Sequence, residues 1–396
     1  MRVGVDATCW ASRRGYGRFL RSLLQATLAI DRMNDYVFFV DNDSQEFPLP
    51  EPRVEVIRVP CEMPTTKAAS ADGRRALGDM WALSRAIRGE ELDLFFFPSV
   101  YSYVPLLSRL PKIVTIHDVI PELFPELVFP TLRSKLNWHA KMKMACAQAR
   151  IVLTVSEYSR RCLAEHLGLA PSRLRVVNEA SDPVFRRLER PNGSALFARL
   201  GLYPDSRFVT YVGGFSPHKN LKLLVEAFCE LHAQSGFANA FLLLVGDHET
   251  DVFHSCYRQI EEHVRQFGLQ DRVLFPGYIA DDELVILLNL AEALVLPSFC
   301  EGFGLPAVEA AACGTPVVVT TESPLKELLR GGAISVAPND RAGLLAALTS
   351  ILSDPARQKT MGEAAFAAAQ QLSWDKSARQ LLDVFDEVCP TSDATA

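Results

Sequence analysis

PSFCEGFGLPAVEAAACG, residues 297–314, reads as a strand end, a tight turn and the start of a helix. The apolar run Ala293 to Leu296 before it is strand-like, and Gly302, Phe303 and Gly304 make the turn. Pro306 suits the first helical position, where its missing N–H would have no partner in any case. Such a turn aims free backbone N–H groups and the positive end of a helix dipole at a sheet edge, an arrangement that binds phosphate. Glu301 stands before the turn and Glu309 in the first helical turns, so two carboxylates line one pocket with the anion between them. Carboxylates accept strong hydrogen bonds from sugar and ribose hydroxyls. The plain alternative is a capped helix with two solvated glutamates, but an acid beside an anion site is unfavourable unless a ligand hydroxyl holds it.

A second segment of the same half, VGGFSPHKNL over 212–221, repeats the construction. Gly213 and Gly214 end a strand, while Lys219 and Asn220 open a helix. Lys219 would reach a phosphate as a point charge. The helix carries Leu221, Leu224, Val225, Phe228 and Leu231 on one apolar stripe.

Outward from these segments, short apolar runs alternate with longer amphipathic ones, the signature of parallel α/β architecture. In the first half, strands are expected at Val3–Val5, Tyr36–Val40, Val54–Val59, Leu94–Phe97, Ile113–Ile116 and Ile151–Val155. A loop through Gly15 and Gly17 leads to a helix over Phe19–Ile30, and another helix spans Leu132–Ala149. In the second half they are expected at Phe208–Val212, Phe241–Val245, Val273–Phe275, Ala293–Leu296 and Pro316–Val319, with a last helix over Asp375–Val388. The polar stretch 186–194, RRLERPNGS, is the expected linker. Two Rossmann-like domains follow, 1–187 with the helix at about 375–396, and 195–373.

Composition excludes other classes. The chain has 396 residues, 48% of them hydrophobic, which is incompatible with disorder. With 41 basic and 47 acidic residues the net charge is −6, which argues against a nucleic-acid binder. The uncharged stretch Leu94–Ser108 is interrupted by Pro98 and Pro105 and is short of the roughly 20 residues a spanning helix needs. The N-terminus meets Asp6 without an apolar run, so no signal peptide is expected. Nine cysteines include no C-x-x-C pair, which fits reduced thiols in a cytoplasmic protein and no metal site. Asp41-Asn42-Asp43 has the form of a metal-chelating pair, yet it follows only the second strand, and a solvated loop is the expected reading.

Both C-terminal segments resemble those of the retaining, nucleotide-sugar-dependent glycosyltransferases of family 4, which have the two-Rossmann GT-B architecture. The resemblance rests on the Glu-x7-Glu motif, EGFGLPAVE, and the GG–PxKN element. It extends to FPGYIADDELVILLNLAEALVLPS before the first and ACGTPVVVT after it. In the N-terminal half, VGVDAT…GYGRFLRSLL is similar to the family's Gly-rich acceptor-side loop and VTIHDVIPELFP to its His-Asp strand end. IVLTVSEYS and LSWDKSA are similarly placed.

The resemblance implies parallel sheets facing across a cleft, with the C-terminal helix returning to the N-terminal domain. It implies that Glu309 holds the nucleotide ribose and that Glu301 contacts the donor sugar. Lys219 and the backbone of Phe303 to Leu305 would stabilise the diphosphate, and His117 would bind the transferred sugar. Gly15 and Gly17 would let the first loop approach the donor. Many relatives carry an Arg beside the diphosphate where this chain has Gly214 and His218. Either His218 substitutes, another basic residue reaches in, or diphosphate binding is weaker. The implied activity is metal-independent, cofactor-free, retaining transfer of a hexosyl unit, with a lean towards mannosyl, from a GDP- or UDP-linked donor. A glycan or lipid-linked acceptor in surface-polysaccharide synthesis would receive it. The alternative is a non-catalytic nucleotide-sugar-binding or supporting subunit of the same fold.

Residues 132–150 carry Arg133, Lys135, Lys141, Lys143 and Arg150 with no acid, and Trp138, Met142 and Ala145 share one helical face. This pattern suits either peripheral contact with an anionic membrane at its inner face or a core helix with a basic solvent side.

Overall fold

The computed structural model describes residues 1–41, 52–65, 75–248 and 255–390. The chain divides into two compact units, Met1–Glu179 together with the segment from Ser373, and Ala180–Leu372. Residues 186–194 lie inside the second unit, where Arg187 Nη1 pairs with Glu363 at 2.9 Å.

Among the described residues the first unit holds seven strands: β1 (Arg2–Asp6), β2 (Asp35–Val40), β3 (Val54–Arg58), β4 (Leu94–Phe97), β5 (Lys112–Thr115), β6 (Ile151–Thr154) and β7 (Leu174–Val176). All pair in parallel, in the order β3-β2-β1-β4-β5-β6-β7. The continuous apolar runs of β4 and β6 are buried along their full length, as helices on both faces require. Phe39, Phe95, Phe97, Leu83 and Trp138 belong to one hydrophobic core. The helix Trp374–Val388 buries Ala378, Leu381 and Phe385 and packs against the helix Gly15–Ile30, so the C-terminal helix returns to the first sheet. Phe385 meets Phe96 with ring centroids 5.8 Å apart.

The second unit holds β8 (Arg207–Val212), β9 (Ala240–Val245), β10 (Val273–Gly277), β11 (Ala293–Leu296), β12 (Val317–Thr320) and β13 (Ala333–Val336). They also pair in parallel, in the order β10-β9-β8-β11-β12-β13. Two Rossmann-like sheets, each reversing strand order once, give the expected α/β GT-B architecture. The reversals lie between β1 and β4 and between β8 and β11. In open parallel sheets the carboxyl ends of the strands at that point are where ligands bind.

Three readings change. The helix Gly15–Ile30 begins at Gly15, so Gly15 and Gly17 sit in its first turn rather than in a loop. Pro306 takes the second position of the helix Leu305–Ala312, because Leu305 already has helical geometry after Gly304. Edge strands β7 and β13 were not foreseen: β7 has three residues and β13 is half-buried, so neither shows a clear apolar run.

Candidate active site

The second unit assembles its candidate residues at the carboxyl ends of β8 and β11. The turn after β8 places Lys219 at the end of a 3-10 turn, Pro217–Lys219, before the helix Leu221–His232. Lys219 Nζ pairs with Glu301 Oε1 at 2.8 Å. The same carboxylate oxygen accepts from Ser298 Oγ at 2.6 Å. Oε2 makes no hydrogen bond among the described residues and is not sealed from solvent.

Asn220 adopts left-handed geometry at φ 55°, and its amide nitrogen donates to Pro338 O at 2.7 Å and Pro297 O at 3.2 Å. Its side chain therefore ties the two segments together and fixes where Lys219 stands. The carbonyl of His218 accepts from Phe299 N at 2.9 Å, which binds the segments a second time. Gly213 N donates to Val245 O at 2.9 Å, and Gly214 O accepts from Tyr211 Oη at 2.6 Å.

Gly302, Phe303, Gly304 and Leu305 are all buried. Gly304 has φ 88°, and a Cβ there would fall 2.5 Å from Leu325 Cδ1. Only glycine fits this position, and its conformation turns the chain into the helix Leu305–Ala312. The N–H groups of Phe303, Gly304 and Leu305 make no hydrogen bond among the described residues. Three successive free donors at a helix start form an anion cradle. Glu309 is 3% exposed on this helix. Burial, and next the charge of Glu309, push the Cys313 thiol up to about 12.

In the first unit, His117 follows β5. Both its ring nitrogens are buried without a hydrogen-bond partner, and its ring meets Phe19 edge-on at 5.0 Å. Burial pushes its pKa down to about 4, so the imidazole is neutral at physiological pH. Asp118 Oδ1 accepts from Ile120 N at 3.0 Å and caps the next turn. A Cβ on Gly17 would fall 2.2 Å from Ser12 O, so this glycine serves the chain's own close approach, whereas the space beside Gly15 is open.

Asp41 Oδ2 accepts from Thr65 N at 2.8 Å; Asn42 and Asp43 lie outside the described residues. Among the described residues no group of three or more His, Cys, Asp or Glu is placed to hold a metal ion. Trp138, Met142 and Ala145 are buried in the core of the first unit, so that face of the helix Leu132–Gln148 is not a surface. No helix among the described residues is long and apolar enough to cross a membrane.

Sequence reasoning missed Ser298 and the anchoring role of Asn220. Ser298 follows a strand end three residues before Glu301, a spacing that could have flagged it. The bonds from Asn220 to Pro297 and Pro338 span the tertiary fold and leave no local trace.

Two Rossmann-like parallel sheets, one with an ion-paired Lys and Glu at its switch point, fit the GT-B glycosyltransferase class. Comparison with known proteins agrees. Residues 14–183 match the sequence model "Glycosyltransferase Family 4" and residues 194–368 match "Glycosyl transferases group 1", so each half of the chain carries a glycosyltransferase domain. It is 32% identical over 238 residues to a D-inositol 3-phosphate glycosyltransferase of Rhodococcus jostii (strain RHA1), a match covering 60% of this chain and 52% of that one. The chain thus spans about half the length of that relative. It is 25% identical over 308 residues to O-antigen chain mannosyltransferase B of Escherichia coli, covering 76% of each. The Anabaena protein HepE, solved in complex with UDP-glucose, shares the fold with a TM-score of 0.75 at 19% identity, covering 98% of this chain and 100% of that one.

Proposed function

We propose that this protein is a retaining hexosyltransferase that moves a sugar from a nucleoside diphosphate donor to an acceptor hydroxyl without an essential metal. The observation that carries the reading is the cluster of Lys219, Glu301 and the free N–H groups of Phe303, Gly304 and Leu305 in the second unit. Cleavage of the donor separates an anionic diphosphate from an oxocarbenium-like sugar, and preorganised donors aimed at that charge are each worth roughly 10²–10³ in rate. Lys219 and the three N–H groups take the diphosphate. Glu301 Oε2 takes a donor-sugar hydroxyl and Glu309 the ribose. In the first unit, His117, neutral and with both ring nitrogens unpartnered, is the candidate to hydrogen-bond a sugar hydroxyl. The acceptor hydroxyl attacks from the side the diphosphate leaves, and the departing phosphate takes its proton.

The donor is GDP- or UDP-linked and the acceptor a glycan or lipid-linked glycan of surface-polysaccharide synthesis, as supported by the named activity of the O-antigen relative. HepE's complex with UDP-glucose supports a nucleotide-sugar donor. Peripheral membrane contact, if made by the helix Leu132–Gln148, uses exposed Leu132, Leu136 and Met144 beside Arg133, Lys135 and Lys143. A non-catalytic nucleotide-sugar binder is favoured only by Gly214 and His218 standing where the family resemblance implies an Arg.

The test is thermal unfolding against UDP, GDP, ADP, dTDP and CMP. A ligand at 100 times its Kd stabilises by about 2.7 kcal/mol. A shift selective for one diphosphate, followed by slow hydrolysis of the matching nucleotide sugar, supports the transferase. No shift with any nucleotide overturns the donor site, and binding without hydrolysis or transfer leaves the non-catalytic reading.

A further inference from the structure

The first unit has a cleft of about 340 Å³ at the amino ends of β5 and β6, at the other end of the sheet from Asp6 and His117. One wall is the segment that enters β5 at Lys112, and the other is the turn that joins the helix Leu132–Gln148 to β6. Arg150 N donates to Lys112 O at 2.8 Å and ties the two walls together. Arg109, Lys112 and Arg150 all line the cleft, and among the described residues no acid does. Arg109 and Arg150 are exposed, and neither guanidinium makes a hydrogen bond or an ion pair among the described residues. Three cations thus share one concave surface without a counter-ion.

The donors are held in place. Lys112 is 4% exposed, and its ammonium donates to Ser108 O and Leu110 O, each at 2.9 Å, with one N–H left over. Burial lowers the Lys112 pKa, so a negative ligand beside it would favour the charged form. Gln148 Oε1 accepts from Tyr103 Oη at 2.8 Å and Leu106 N at 3.0 Å, which fixes the amide and leaves its Nε2 without a hydrogen bond among the described residues. Ser108 Oγ is buried and unpartnered. Two features of the surroundings oppose an anion, and both are offset. The negative end of the helix Leu132–Gln148 lies here, and Arg173 Nη2 takes its carbonyls Cys146 O and Ala149 O, each at 2.5 Å. Burial, and next the charge of Asp93, raise the pKa of the Cys389 thiol while Arg150 lowers it, so this acid lies near the rim. Asp93 Oδ2 accepts from Arg2 N at 2.7 Å, and Asp93 makes no ion pair with Arg150 among the described residues.

We propose that this cleft is a ligand site, separate from the transfer chemistry, for a phosphate monoester of a small organic molecule. Its oxygens accept from the remaining N–H of Lys112 and from the guanidinium groups of Arg109 and Arg150. Three cations around one point suit a dianion with three terminal oxygens better than a carboxylate with one charge and two. Ligand pockets begin at roughly 300 Å³, so the cleft has room beyond the phosphate, and the organic part lies against Leu110 and Pro111. A ligand here bridges the segments that enter β5 and β6 and touches none of the groups at the carboxyl ends of the strands. The site therefore stands whether or not the chain is a transferase. The monoester comes either from a soluble compound or from a phospholipid headgroup.

The test is calorimetric titration of the full-length protein with glycerol 3-phosphate, dihexanoyl phosphatidic acid and uncharged glycerol, with amide hydrogen exchange recorded at saturation. The expected result is saturable binding of a phosphate probe, none of glycerol, and slowed exchange in residues 106–112 and 148–152. The double variant Arg109→Gln, Arg150→Gln should weaken that binding by about tenfold or more, and Lys219→Ala should leave it unchanged. Both arginines are exposed and unpaired, so their removal leaves the fold intact. No binding of either phosphate at millimolar concentration overturns the proposal, and so does unchanged affinity in the double variant. Binding lost in Lys219→Ala places the phosphate in the second unit and overturns it as well. Tighter binding of phosphatidic acid assigns a headgroup source, and tighter binding of glycerol 3-phosphate a soluble one.

Discussion

Glu301→Gln is expected to strengthen binding of the bare nucleoside diphosphate while abolishing transfer. Lys219 Nζ lies 2.8 Å from Glu301 Oε1, with side-chain exposures of 21% and 10%. Two unit charges at such a separation attract by about 4–6 kcal/mol at an effective dielectric of 20. Desolvation and partial solvent access cut the net coupling to about 1–2 kcal/mol. A diphosphate that needs Lys219 must first break this pair, and it also meets the repulsion of the carboxylate. Glutamine keeps the shape and the hydrogen bond from Ser298 but releases the lysine, so the diphosphate should bind about 5–30-fold more tightly. The nucleotide sugar should gain less, since Glu301 no longer accepts from its hydroxyl. Calorimetric titration of wild type and variant with the nucleoside diphosphate selected by the unfolding screen, beside an assay of sugar transfer, separates the two effects. Unchanged or weaker diphosphate binding in Glu301→Gln would refute the idea that Lys219 is exchanged from carboxylate to phosphate.

Glu309→Ala should weaken nucleotide binding by at least about 1.5 kcal/mol, and unchanged affinity removes the carboxylate from the ribose. Gly304→Ala forces a side chain into left-handed geometry and onto Leu325, so the protein should lose about 1–3 kcal/mol of stability in chemical denaturation, together with its nucleotide-induced shift. Asn220→Ala removes two hydrogen bonds and the residue best suited to φ 55°, with an expected cost of about 1–3 kcal/mol and a fall in diphosphate affinity as Lys219 loses its anchor. His117, held near pKa 4 against its ordinary 6.5, refuses a proton that the unfolded chain accepts. Its share of stability is complete above pH 6.5 and is lost as pH falls towards 4, about 1–3 kcal/mol in all, so His117→Asn should flatten the midpoint-versus-pH curve across that window.

The strands with continuous apolar runs were legible from sequence because burial on both faces leaves no other composition possible. Leu94–Phe97 and Ala293–Leu296 match residue for residue. Edge strands β7 and β13 were not, since one neighbour and partial exposure relax that demand. The Glu301 and Lys219 segments were legible for a different reason: glycines and a proline at a strand-to-helix turn have few structural explanations. What no local pattern shows is the exchange of partners across the fold, 82 residues for Lys219 with Glu301 and 118 for Asn220 with Pro338. Lys141 shows the same limit. In the sequence it reads as one cation on a basic helix, and only the fold brings it to the carbonyl beside that which holds Arg75.

The two sheets treat their switch points in opposite ways. In the second unit Lys219 is paired with Glu301, and among the described residues Glu301 Oε2 and the N–H groups of Phe303, Gly304 and Leu305 are left without a hydrogen bond. In the first unit Asp6, Arg75, His117 and Glu122 each keep a buried atom without a partner, and among the described residues only His232 lies elsewhere among ionisable side chains with that property. A buried polar atom left unpaired costs about 1–3 kcal/mol. A chain that concentrates such atoms at the carboxyl ends of β1 and β5, while satisfying Lys112 and Arg173 with carbonyls elsewhere in the same unit, gives up stability where ligand atoms can restore it. Ligand binding should therefore differ between the units. In the proposed transferase, a donor diphosphate on Lys219 exchanges one ion pair for another. A ligand of the first unit would instead meet polar atoms that have no partner to give up.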